Sequence, residues 1–189
     1  NSFYPDQYRI LTYYLAEFLT FFRIPLVYAF SVLRFLFTGF GFYVLYHYLL
    51  QWVKPVTACL GLFIAAFSTV FTYFFYASQP ADPLNFLIFV LAMYALSLKK
   101  DGWLYPLIVI GMLNRETAVV IPLIYLFVRF DEKPAKKYIS HFLLLSALAF
   151  GIYFGLRFYF GGRPPYAPTS PLHYWQSNLL KLDPWIQLI

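Results

Sequence analysis

The chain has 189 residues, of which 61% are apolar, 24% aromatic and 12% charged, with a formal net charge of +6. At a mean hydropathy of +0.64, too little polar cover remains for a water-exposed surface, which excludes a soluble globular domain and predicts an all-α, polytopic bundle of transmembrane helices. The Lys and Arg residues are scattered between apolar runs instead of forming a basic face, which excludes nucleic acid as a partner.

In chain order, residues 8–22 are predicted as an amphipathic helix lying in the membrane interface. Arg9, Tyr13, Glu17 and Thr20 recur at helical spacing, while Ile10, Leu11, Leu15, Phe18 and Leu19 supply apolar surface. Arg23-Ile24-Pro25 ends it, because proline suits the first turn of the next helix and not a helix interior. A span needs roughly 20 apolar residues to cross about 30 Å of hydrocarbon. Residues 24–50, 56–77 and 138–160 meet this, and 83–98 is a shorter span that local thinning accommodates. Cys59, the one cysteine, falls inside an apolar run and reads as a buried, inert thiol, with no CxxC or Cys/His cluster beside it.

Residues 103–130 would make a single helix of about 42 Å, but Pro106, Gly111, Asn114 and Pro122 interrupt it. Two half-length helices meeting near Asn114 fit better. A hairpin there puts Lys54, Lys99, Lys100, Arg129, Lys133, Lys136 and Lys137 on one side and Arg9, Arg23, Arg157, Arg163 and Lys181 on the other. A single span would even the split. The positive-inside rule then places the lysine-rich side in the cytoplasm, leaving residues 1–9, 78–82 and 161–183 outside it. Residues 161–171 are rich in Gly and Pro and read as a loop, and 173–182 as a second interfacial helix. The chain starts at Asn1 without Met and stops inside an apolar stretch at 185–189, so the expectation is one transmembrane domain, 1–189, cut at both ends.

Ionisable groups at bilayer depth need partners, since each costs about 2.5–3.5 kcal/mol on insertion scales. Arg34 enters its span by about 15 Å and needs an anion, either Glu17 in a structural pair or a lipid phosphate. Asn114-Arg115-Glu116-Thr117 sits at the proposed apex, where a backbone break is tolerated only in protein or beside a wet cavity. The free N–H groups there, with Arg115, make a phosphate seat; Glu116 and Thr117 otherwise serve as first-turn and capping residues. Asp82 opens a span at its outer end, where a carboxylate either suits the helix start or points into an external cavity. Asp6 is an external carboxylate whose reach to an acceptor proton is open. His173, beside Tyr174 and Trp175, suits sugar stacking or a plain interfacial role. His47 and His141 lack a second ligand at helical spacing, so neither marks a metal site. No GxSxG, P-loop, HExxH or GxGxxG pattern occurs, which leaves soluble hydrolases and nucleotide binders without support.

Tyr8-Arg9-Ile10-Leu11 before an interfacial helix, Ala81-Asp82-Pro83 in an outer connection and Gly111-Met112-Leu113-Asn114-Arg115-Glu116-Thr117 between short helices together resemble the GT-C-type membrane glycosyltransferases. The likeness is to bacterial relatives of the protein O-mannosyltransferases and lipid A aminoarabinose transferases, and it covers most of residues 4–130. It implies a bacterial cytoplasmic-membrane enzyme that takes a sugar from a polyprenyl-phosphate carrier on the extracytoplasmic side, with membrane lipid around it. It further implies catalytic roles for Asp6, in the region of the family's base, and for Asp82, at its second external acidic position, with Arg115 as a contact to the carrier phosphate; Arg34, from its depth in the span, is a second candidate for that phosphate. Glu17, Asn114, Glu116 and His173 would support them. The family's first acidic motif stands further upstream of the interfacial helix than Asp6 does. The leaving phosphate would be stabilised by arginine or by a divalent cation. Two other classes compete. A transporter or lipid-handling protein also uses broken helices around a buried arginine, although no inverted repeat is visible. In a structural subunit the polar residues would only join helices.

Overall fold

The computed structural model describes residues 10–75, 82–130 and 135–159. All regular elements among them are helical: α1 (Ile10–Thr20), α2 (Leu26–Leu49), α3 (Pro55–Phe75), α4 (Asp82–Ser97), α5 (Leu104–Asn114), α6 (Ile121–Arg129) and α7 (Ala135–Tyr159). Short 3-10 turns precede α5 (Asp101–Trp103) and α6 (Glu116–Val120). Asp6, His173, Lys133, the 161–171 loop and the second interfacial helix lie outside the described residues.

The helices begin and end where local chemistry directs. Arg23 takes a left-handed backbone with φ 63° and its N–H bonds the Thr20 carbonyl at 2.9 Å, closing α1 before Pro25 starts α2. At the far end of α4, Lys99 is again left-handed with φ 56°. Its N–H bonds the Leu96 carbonyl at 3.1 Å and the Lys100 N–H bonds the Ala95 carbonyl at 2.9 Å. That pair of bonds is a Schellman C-cap, satisfying carbonyls that the helix end would otherwise orphan.

One apolar core runs through α4, α5, α6 and α7 and reaches Val44 of α2; Ile88, Leu104, Ile108, Met112, Ile121 and Leu145 are buried in it. Two glycines permit the close approaches that build it. A Cβ on Gly41 would lie 2.7 Å from the Phe86 ring, where α2 meets α4. A Cβ on Gly111 would lie 2.6 Å from the Ala118 Cβ, where the two arms of the hairpin meet. A second, small cluster of Ala16, Ala29 and Leu33 joins α1 to α2.

The outward faces are as apolar as the core. Phe35, Phe63, Phe127 and Phe158 are all exposed, and Cys59, expected to be buried, is exposed on α3. The apolar run around Cys59 faces outward, so its hydrophobicity did not signal burial within the protein. Among the described residues two helices, Leu26–Leu49 and Lys136–Tyr159, are long and apolar enough to cross a membrane, yet only 22% and 11% of their apolar windows are buried. An internal core therefore does not account for their composition. Pro55–Ser68 and Asp82–Ser97 are shorter apolar helices.

Of the residues expected to interrupt 103–130, only Asn114 stands at the break. Pro106 falls in the first turn of α5 and Pro122 in the first turn of α6, where the missing N–H is not needed. Gly111 is a contact point, not a hinge.

Candidate functional site

At the end of α5 the chain leaves the helix: Arg115 is extended, with φ −159° and ψ 138°. A 3-10 turn follows and α6 runs back. The return is shown at the opposite end. There the buried Arg129 guanidinium donates to Asp101 Oδ1 at 2.7 Å and to the Leu96 carbonyl at 2.9 Å. Arg129 and Asp101 thus stand together at the base of a hairpin, and residues 114–117 form its apex.

The apex gathers polar groups from four helices. Arg115 Nη1 contacts Asp82 Oδ1 in an ion pair whose side chains are 25% and 20% exposed. Asp82 is the acidic residue of the first turn of α4, where the helix dipole favours negative charge. Asn85 follows at i+3, hence on the same face of α4, and its Oδ1 accepts from the Thr117 hydroxyl at 3.2 Å. From α7, Arg157 Nη2 reaches Glu116 Oε2 at 3.3 Å, while its guanidinium carbon lies 4.1 Å from the centre of the Tyr153 ring. From α1, the buried Thr12 hydroxyl donates to Asn114 Oδ1 at 2.5 Å.

Of the sequence candidates, the structure brings together Asp82, Asn114, Arg115 and Glu116. Arg34 is half-buried on α2, next to Leu33 of the small cluster that packs against α1, and Glu17 is exposed on α1. His47 is packed against Tyr43 and Tyr46, and His141 lies between Tyr105 and Tyr125. Sequence reasoning missed Thr12, Asn85 and Arg157. Asn85 alone carried a signal, its position one turn after Asp82.

Chemically, the exposed part of the apex offers a carboxylate and a guanidinium in contact, with an amide and a hydroxyl beside them. Guanidinium forks match phosphate as well as carboxylate, so an entering anion competes with Asp82 for Arg115. Among the described residues no three His, Cys, Asp or Glu side chains converge, and Asp82 faces a cation already. No protein-family model, curated protein or solved structure matches this chain.

Proposed function

We propose that the chain is a polytopic membrane protein of the GT-C glycosyltransferase type, which transfers a sugar from a polyprenyl-phosphate carrier on the extracytoplasmic face. The Asp82–Arg115 contact at the apex of a broken helix carries this reading. Arg115 exchanges its partner: a carrier phosphate takes the guanidinium and frees the Asp82 carboxylate. The acceptor hydroxyl then attacks the sugar C1 as its proton passes to Asp82. The C1–O bond to phosphate breaks, and its electron pair stays on the phosphate beside Arg115. Asn85 and Thr117 offer hydrogen bonds to sugar hydroxyls. Lateral entry suits a lipid-borne donor, because the outward helix faces are apolar. The lysine-rich end of the hairpin lies opposite the apex, and the positive-inside rule turns the apex outward. Asp6 and His173 extend the same reading as an external carboxylate and a sugar-stacking ring.

The test is transfer by the full-length protein in proteoliposomes, with radiolabelled polyprenyl-phosphate sugars. Arg115→Ala is expected to raise KM for the carrier and to lower transfer by about 100-fold or more, the usual loss when a group stabilising developing charge is removed. Asp82→Asn keeps carrier binding and loses transfer. Wild-type transfer in Arg115→Ala overturns the reading. Carrier binding without transfer in the wild type favours a non-catalytic lipid-handling role for the same ion pair.

A further inference from the structure

A groove of about 440 Å³ opens between α4 and α5 toward the base of the hairpin, away from the apex. Leu91, Tyr94 and Leu98 line one wall and Trp103, Leu107 and Ile110 the other. Each set repeats at helical spacing, so each is one stripe of its helix, and the two stripes face each other over roughly 10 Å. Lys100 closes the lower end. Its position is built into the backbone. Its N–H caps α4 through the Ala95 carbonyl, and its carbonyl accepts the Trp103 N–H at 3.1 Å. Asp101, the neighbouring carboxylate, is occupied by Arg129.

The geometry points to an anionic phospholipid as the occupant, with an acyl chain in the groove and its phosphate on Lys100. A helix partner is the poorer match. Helices that associate in lipid do so through small residues on both sides, whereas Ala95 is the one small residue here and the α5 wall has none. An acyl chain is thin enough to fill such a slot, and aromatic rims suit the headgroup level. A basic residue between helices at the cytoplasmic end is suited to an acidic headgroup. The site rests on the membrane reading but not on the transferase reading.

Native mass spectrometry of the full chain, released from mixed phosphatidylglycerol and phosphatidylcholine nanodiscs, tests this. The wild type is expected to retain one phosphatidylglycerol in preference to phosphatidylcholine. Lys100→Gln should weaken that retention about fivefold, and Lys100→Glu should abolish it. Lys100 is exposed and its capping bonds are made by the backbone, so both variants keep the fold. Leu91→Trp, which fills the slot, should remove the lipid with Lys100 intact. Equal retention of both lipids, or retention unchanged in Lys100→Glu and in Leu91→Trp, overturns the site. A cross-link through Ile110→Cys to a second copy of the chain overturns it as well. Sugar transfer that persists in Lys100→Glu separates failure here from failure at the apex.

Discussion

Thr12 and Asn114, 102 positions apart, share a buried 2.5 Å hydrogen bond. It is the link through which α1, the helix expected to lie along the membrane surface, holds the apex of the hairpin. Asn114 ends α5, and its side-chain amide is enclosed. A buried amide without its partner costs about 1–3 kcal/mol, so the bond has consequences beyond α1.

Thr12→Val keeps the shape of the side chain and removes the donor. Thermal unfolding in detergent should register a loss of about 1–2 kcal/mol. Adding Asn114→Leu to Thr12→Val should lose less than the two single changes summed, because the buried amide is then gone too. Full additivity would show that the two residues do not act through one bond.

The contact between Gly111 and Ala118 leaves no room for a methyl group, since the clash is between two Cβ atoms and neither can rotate away. Gly111→Ala should destabilise by about 1–3 kcal/mol through overpacking. Ala118→Gly in the same chain should recover part of that. A Gly111→Ala protein as stable as the wild type would place the arms of the hairpin further apart than described.

At the base of the hairpin, Arg129 is 4% exposed and is paired with the Asp101 carboxylate. Asp101→Asn takes a carboxylate away from a buried cation and should cost about 3 kcal/mol. Replacing both, with Asp101→Asn and Arg129→Met, should return most of that stability, because an apolar side chain at a buried position carries no desolvation cost. Chemical denaturation of the reconstituted protein distinguishes these outcomes.

Lys99 closes α4 in a conformation that disfavours side chains by roughly 1–2 kcal/mol. Lys99→Gly should therefore stabilise the protein by about 1 kcal/mol, and Lys99→Val should do the reverse. A Lys99→Gly variant that melts below the wild type would mean that the lysine side chain contributes more than its backbone loses.

The break at Asn114 was legible because its causes are local: a poor helix former, followed by Arg115 and by an acidic residue suited to a first turn. Pro106 and Pro122 were misread as interruptions because a proline looks the same in a sequence whether it ends a helix or opens one. The burial of Cys59 was misjudged for a related reason. An apolar residue on an outward face and one facing the core have the same composition around them, and only the packing tells them apart.

Sequence alone determined the helical class, the apolar runs and the place where the hairpin turns, because helix period, proline geometry and residue hydrophobicity act within a few positions of one another. Tertiary structure decided which polar groups meet. Asp82 with Arg115, Thr12 with Asn114 and Asp101 with Arg129 are each brought together by close helix approaches such as Gly41 on Phe86 and Gly111 on Ala118. Those approaches depend on shape across the whole bundle, and no local pattern in the chain encodes them.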